Sequence, residues 1–537
     1  MASRRDELNA YNFARKRTVA AFLKPLPNGS VESAPRPVRA LVPTIVLSVL
    51  IVVGFGGCGL LKPAAPQGWN APGEKVIVGD KSTTRYVVLK SKEKGPDGKA
   101  KTLLHPVLNL SSARLLLDPS KFEVVKVKES ILDGGDAPPQ GPTIGIPYAP
   151  DRLPDSKDAG AKKTWASCER PASSEGGRIQ QSTFVFKDGD EHLGKLTAGG
   201  KGKVGKRSSL FVQDPKGDDY LVDDRGVAHP LDATAARDQL GDRATPEERE
   251  RMNGLLRGIL FGQKGEPQKV SEEWMDTLIK SELPIFFPPV PGAGETADTE
   301  GVPQEHRKVG RIVEGDGAYF VVLKDGVANV SPFVAKLLLQ GEVGELAYPG
   351  QAPEPAVLPL ASIEAEEPEF MGKLPTGQEV VWPEEQTQQA NNAHEEDGKR
   401  VVCSVYHGGN QKIAGQELSV PEMTTWAGTG NPAPIVDGSG STYVSPGSGL
   451  LYREVTGKAK DSGSLFLVTD TGLRYSVRVN NDSSEKAGNA EKDQNQAQIR
   501  LGYGDLAQPL AIPRVWSRLL SAGPSLNTAD AKQPQGS

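Results

Sequence analysis

The sequence predicts an α+β membrane protein: a basic N-terminal helix, one membrane-spanning helix, and a β-rich body assembled from similar units. Three observations carry this reading. An uncharged run of 22 residues, 40–61, follows a basic arm. Beyond it, short apolar strands recur with Asp/Gly turn chemistry between them. Gly and Pro, 60 and 43 of 537 residues, approach a fifth of the chain, which favours short strands and many turns.

Residues 1–39 hold eight Lys/Arg against Asp6, Glu7 and Glu32, a balance of +5 on a chain whose net charge is −5. The remainder is therefore −10. A basic arm on an acidic body argues against nucleic acid as the main partner and for contact at an anionic membrane surface. Leu8, Tyr11, Ala14, Val19 and Phe22 recur at roughly helical spacing with basic residues interleaved, predicting an amphipathic basic helix. Tyr11, Phe13, Arg15, Lys16 and Arg17 are its candidate contact residues. Such a helix either lies on the membrane surface or docks on a cytoplasmic partner.

A helix rises about 1.5 Å per residue, and a bilayer core of roughly 30 Å needs about 20 residues, so residues 40–61 are long enough to span once. Arg36 and Arg39 stand just before the run, which places residues 1–39 in the cytoplasm and the body outside. The long basic arm and long apolar run fit a retained anchor better than a cleaved signal peptide or lipoprotein signal.

The body reads as four strand-rich units, near 72–132, 205–287, 305–342 and 450–523. Their signatures are RYVVL (85–89), LFVQDPKGDDYLV (210–222), YFVVLKDGVANV (319–330) and LFLVTDTGLRYSVRV (465–479). Asp325-Gly326 signals a type I′ hairpin turn, whose two central residues both need φ > 0. Helices follow: NLSSARLLL (109–117), one begun by Thr245 and Pro246 and ended by Gly262, and one begun by Ser331 and Pro332 and ended by Gly341. Pro267, Val270 and Trp274 share their spacing with Pro509, Ile512 and Trp516. Two half-repeats, 72–287 and 305–523, account for this, with 288–304 as a linker; chance similarity among Gly-rich strands is the alternative. Loops are expected at 133–164, 342–368 and 481–497, and a disordered tail at 524–537.

Cys168 and Cys403 fall at equivalent places in the two halves. Outside the cytoplasm they pair, or they stand as two free buried thiols. No histidine shares a metal-ligand spacing with another ligand, so no metal is expected; His105 and His229 each precede Pro and read as a repeated structural position. No catalytic motif is present. Gly200, Gly205 and Lys206 match part of a phosphate-binding loop, but Arg207 stands where Ser or Thr is needed, and the segment leads into a strand rather than a helix. No cofactor is expected.

Three stretches resemble the EccB family of actinobacterial type VII (ESX) secretion systems: RDELNAYNFARKR (5–17), LHPVLNLSSARLLL (104–117) and GPTIGIPYAPDRLP (141–154). The resemblance implies a single-pass protein with an elongated periplasmic domain: four repeats around a central domain, quasi-two-fold, with a central disulfide. It implies EccC, EccD, EccE and the mycosin protease as partners, and self-association. Family members are sometimes labelled ATPases; the incomplete phosphate loop argues against carrying that over. The function expected is a scaffold of the secretion complex, with an extracytoplasmic ATPase and a cell-wall-binding membrane protein as alternatives.

Overall fold

The computed structural model describes residues 3–535 apart from 24–36, 61–64, 95–97, 99, 172–177, 198–199, 240, 242, 366–367, 394–397, 413–419, 436–440, 457–462, 479–489 and 507. The chain divides into two compact units, the first made of residues 1–71, 77–83 and 124–137, the second of the remainder.

In the first unit a helix runs Arg4–Leu23 and another Pro37–Leu60. The first departs from the expected amphipathic pattern. At about 3.6 residues per turn, Leu8, Tyr11 and Phe22 share one side, but Arg15 falls among them and Phe13 faces the opposite way. In the second helix the apolar side chains from Leu41 to Val53 are exposed all round. Thr44 and Ser48 donate their hydroxyls back to the carbonyls of Leu41 and Thr44, at 2.9 and 2.8 Å. Among the described residues no helix is long and apolar enough to cross a membrane. The expected span, 40–61, lies partly outside them, since residue 61 and the side chains of 40 and 54–60 are not described.

The same unit holds the short helix Glu129–Leu132, whose first carboxylate accepts from the Lys81 and Ser82 amides at 2.9 and 2.7 Å. The Ser82 amide above all holds the Glu129 carboxyl down at about 2. A carboxylate depressed in the folded state stabilises above its unfolded pKa, about 4.3, and loses that contribution as pH falls through the folded value. Glu129→Gln is therefore expected to be less stable than the parent at pH 6. Acid-unfolding curves should show the gap closing between about pH 5 and pH 2; a gap independent of pH would disprove the account.

The second unit is organised by a central five-stranded sheet, in the order Val420–Gly428, Val401–Gln411, Thr164–Arg170, Gln180–Phe186, Thr442–Val444. Strands far apart in sequence meet in its middle: Thr164–Arg170 pairs antiparallel with Val401–Gln411. Positions 165–169 and 401–406 are buried on both faces, and the buried set includes the polar Ser167, Glu169 and Ser404.

Two further sheets share one topology. Ser208–Gln213, Asp219–Val222 and Val227–Pro230 form an antiparallel meander, with Gln268–Lys269 and Ile279–Lys280 added parallel at its two edges. Gly449–Val455, Leu465–Thr469 and Leu473–Val477 repeat that meander, and Leu510–Pro513 and Ser521–Ala522 add parallel at the same edges. Between the two added strands of each lies a five-residue helix, Glu272–Asp276 or Arg514–Arg518, carrying buried Trp274 or Trp516.

A third meander, Ile312–Gly315, Ala318–Val322 and Val327–Val330, takes Ala356–Val357 parallel at one edge. Here one turn differs from expectation. Asp325-Gly326 does lie in a hairpin, but the pair with positive φ is Asp316-Gly317, at 52° and 80°. Only two residues separate the register pair Gly315 and Ala318, and a two-residue loop demands the type I′ geometry. Four residues separate Val322 from Val327, which relaxes that demand.

The capping patterns hold where they are local. Asn109, Thr245 and Ser331 each accept from an amide three residues on and open helices Leu110–Leu116, Pro246–Phe261 and Pro332–Gln340. Elsewhere the expected irregular segments are ordered. Residues 288–304 bury Val290, Ala297 and Val302 in a core with Phe286 and Phe333, so the stretch is packed rather than a free linker. Glu342–Ala347 is a helix inside the loop expected at 342–368. Of the 481–497 loop, residues up to 489 lie outside the described residues and the rest begins helix Ala490–Leu501. The tail is also placed. Leu526 and Ala531 are buried, Asn527 caps the helix Thr528–Ala531, and the Gln535 amide donates to the Thr143 carbonyl. Composition argued for disorder; a few well-placed apolar contacts and hydrogen bonds overrode it.

Candidate functional site

The centre of the second unit is where its sheets meet. Cys168 and Cys403 are register partners in the central sheet, fully buried, with their sulfurs 2.00 Å apart. Phe184, Phe186 and Trp426 pack around them. One residue on, buried Glu169 accepts from the Ser271 amide at 2.8 Å and from its hydroxyl. Burial pushes this carboxyl up, and the Ser271 hydrogen bonds pull against that shift. Ser271 in turn caps the helix carrying Trp274, whose indole donates to the Ser167 carbonyl at 3.0 Å. The second sheet is thus bolted to the strand of Cys168 through three polar contacts.

Trp516 sits in the other five-residue helix and packs beside Tyr406, ring centroids 5.6 Å apart. Its neighbour Ser517 shares a hydrogen bond with the Tyr452 hydroxyl at 2.8 Å. The two tryptophans therefore occupy corresponding positions in their sheets but are held by different contacts.

A buried polar centre lies beside these elements. Asp223 takes both Nε and a terminal nitrogen of Arg225, at 2.9 and 2.6 Å, and the Val227 amide at 2.9 Å. His229, fully buried, stands 3.6 Å from the same carboxylate, an ion-pair distance rather than a hydrogen bond. Burial alone would raise the Asp223 carboxyl; His229 and Arg225 outweigh it and hold the group low. Thr425 of the central sheet donates to the Asp223 carbonyl at 2.8 Å. The arrangement ties a sheet to the core and presents no nucleophile. His105 takes the matching place before a Pro on strand Ala100–Pro106, with its Nδ1 2.9 Å from the Pro142 carbonyl.

Gly200, Gly205 and Lys206 lie on a segment of turns that leads into a strand. The Val204 amide donates to Thr425, the Ala427 amide to Gly202, and the Ser208 amide to Gly205, before the strand that starts at Ser208. The Lys206 ammonium is exposed, 3.7 Å from Glu384. The Gly200, Lys203, Val204 and Ser208 amides thus point at protein carbonyls, and among the described residues no helix starts here to gather amides around a phosphate. Among the described residues no group of three or more His, Cys, Asp or Glu side chains could hold a metal ion. Asp190, in the acidic run 187–194, is committed to the Tyr443 and Ser445 hydroxyls.

Two arginines that sequence reasoning missed clasp the ends of the second unit. Arg114, on helix Leu110–Leu116, donates to the Leu501 carbonyl at the end of helix Ala490–Leu501, at 2.9 Å. Arg500 reciprocates to the Leu115 and Leu117 carbonyls, at 3.3 and 2.6 Å. Each cation meets the last turn of the other helix, where unpaired carbonyls and the dipole favour positive charge. Tyr503 adds a bond to the Pro154 carbonyl at 3.0 Å. No sequence signal marks the pair, because its members stand 386 positions apart.

In the first unit, Tyr11 is 67% and Phe13 55% exposed on the N-terminal helix, with Arg15, Lys16 and Arg17 exposed beside them.

Comparison with known proteins adds the family. The profile described as "Type VII secretion system ESX-1, transport TM domain B" matches residues 1–536. The chain is 27% identical over 525 residues to the ESX-3 secretion system ATPase EccB3 of Mycobacterium tuberculosis, covering 92% of this chain and 83% of that one. It is 26% identical to the ESX-5 secretion system ATPase EccB5 of the same species, over 98% of this chain and 93% of the other. Among solved structures, that of an EccB3 dimer from the ESX-3 core complex superposes with a TM-score of 0.51 at 21% identity, covering 85% of this chain and 99% of that chain. An intact ESX-5 inner membrane complex contains a chain matching with a TM-score of 0.50, also at 21% identity, over 100% and 96% of the two. These structures share the mixed α+β fold of several small sheets. With the profile matched from end to end, the chain belongs to the EccB family of type VII secretion systems.

Proposed function

We propose that the chain is a structural component of a type VII secretion membrane complex, supporting export of proteins across the cytoplasmic membrane. The observation that carries this is the family match over residues 1–536. In this reading residues 40–61 form the single anchor. The apolar surface from Leu41 to Val53 suits lipid, and Thr44 and Ser48 satisfy their hydroxyls within the helix, as an apolar medium requires. Residues 1–39 are cytoplasmic, and Tyr11, Phe13 and Arg15–Arg17 dock on the membrane complex; the protein's partners in it are EccC, EccD, EccE and the mycosin protease. The body lies outside, where the Cys168–Cys403 disulfide forms, and it associates with copies of itself. Its two meanders of identical strand order, 208–280 and 449–522, support a quasi-two-fold duplication around the central sheet.

Deleting residues 2–36 in the host is expected to abolish secretion while the body stays folded and membrane-bound. Normal export by that strain sinks the docking role. The relatives' printed names favour a second reading, ATP hydrolysis. It requires hydrolysis by the purified chain that Lys206→Ala removes; activity indifferent to that change excludes this loop as the site.

A further inference from the structure

One aromatic on the second unit is displayed rather than packed. Tyr148 is 89% exposed and holds a φ of +61°, a left-handed conformation that is costly for a bulky residue. The loop around it is rigid. The Ile146 amide donates to the Ser112 hydroxyl at 2.8 Å, and Asn109 donates to the Ile146 carbonyl at 2.7 Å. Ser111 donates to the Pro150 carbonyl, and Gln535, from the far end of the chain, donates to the Gly145 carbonyl at 2.8 Å. Ile144 and Ile146 are buried beneath. Four residues, Asn109, Ser111, Ser112 and Gln535, thus hold the backbone on either side of an aromatic residue that buries almost nothing within its own chain.

Elsewhere on the same unit is an apolar cavity of about 160 Å³, lined by Met252, Phe287, Val290, Leu337 and Leu346. Leu346, at its mouth, is 50% exposed. An apolar cavity of about 150 Å³ is large enough to take a benzene ring, so this one matches a single aromatic side chain. The charges agree as well. Exposed Arg152 stands four residues after Tyr148, and Glu342 offers the opposite sign at the cavity's edge, beside Arg237; Asp151 is already held by Arg85 and the Leu110 amide within its own chain. Arg237 already pairs with Glu248 at 2.6 Å, which fixes the guanidinium at that edge.

We propose that Tyr148 of one copy seats in the Met252–Leu346 cavity of a second copy, a head-to-tail contact between two different surfaces. Such a contact builds a ring if its rotation closes and an open array if it does not. A rigid loop loses little freedom on docking, which is what preorganisation contributes to an interface. The inference rests on the self-association proposed above and adds to it the two surfaces and the anchor residue.

The test uses the full-length chain in detergent, in a Cys58→Ser background. Copies bearing Tyr148→Cys under one tag are mixed with copies bearing Leu346→Cys under another and oxidised. The expected product is a disulfide-linked species carrying both tags, at least tenfold above mixtures in which one partner lacks its new cysteine. Separately, Tyr148→Ala is expected to weaken self-association by about tenfold or more, as loss of an aromatic anchor does, and Tyr148→Phe to retain it, both measured by sedimentation. Absence of the mixed-tag species together with unchanged association of Tyr148→Ala overturns the head-to-tail contact and leaves self-association standing. A chain that stays monomeric at every concentration overturns both.

Discussion

Replacing Cys168 and Cys403 together by alanine is expected to lower the stability of the second unit by up to about 5 kcal/mol. The two residues are 235 positions apart, so the bond closes a very long loop in the unfolded chain, and the loss of unfolded-state entropy grows with loop length. The effect should be large here for a second reason. The strands that carry the cysteines, Thr164–Arg170 and Val401–Gln411, come from distant parts of the chain and form the middle of the central sheet. Without the covalent link, that long-range pairing must be re-formed against the full closure entropy. Denaturant unfolding of the parent, the parent under reductant, and the double alanine variant measures it. The reduced parent and the variant should fall together, well below the oxidised protein. A difference under about 1 kcal/mol would mean that the unfolded state keeps these strands together.

The second large effect separates two tryptophans that occupy the same place in two sheets. Trp274→Ala and Trp516→Ala should each cost about 3–5 kcal/mol, since both rings are fully buried and a cavity remains. The phenylalanine variants should part company. The Trp274 indole donates to the Ser167 carbonyl, so Trp274→Phe removes a donor from a buried acceptor, a loss of about 1–3 kcal/mol. Among the described residues the Trp516 indole nitrogen finds no acceptor. Trp516→Phe therefore gives up only ring size, and it removes a buried polar group that has no partner. Unfolding free energies should place Trp274→Phe at least 1 kcal/mol below Trp516→Phe. Equal costs would show that the Ser167 bond contributes nothing net.

Local chemistry was legible from sequence because its cause is local. Asn109, Thr245 and Ser331 open their helices with side chains that reach an amide three residues away, an interaction complete within one turn. The paired spacing around Trp274 and Trp516 was equally visible, since strand, helix and strand follow one another within about a dozen residues. That a strand follows Gly200–Lys206 could also be read, because the apolar run after Arg207 is in plain sight.

What composition misjudged is instructive. Asp325-Gly326 and Asp316-Gly317 are the same dipeptide, and only the number of residues between paired strand ends decides which one must adopt positive φ. Residues 288–304 and 524–535 look like linker and tail. They are ordered by a handful of side chains, Val290, Ala297, Val302, Leu526 and Ala531, that find distant partners to pack against.

By itself the sequence determined the basic arm, the apolar run after it, the strand-and-turn units, the helix caps and the family. Tertiary structure alone decided that Cys168 faces Cys403, that Arg114 and Arg500 cap each other's helices, that Thr425 closes on the Asp223 carbonyl, and that Gln535 reaches the loop on which Tyr148 stands exposed. The reason is one of range. Caps and turns are set by atoms a few bonds apart, whereas these arrangements join residues that meet only after the chain has closed loops of tens to hundreds of residues, and no local pattern records where such loops end.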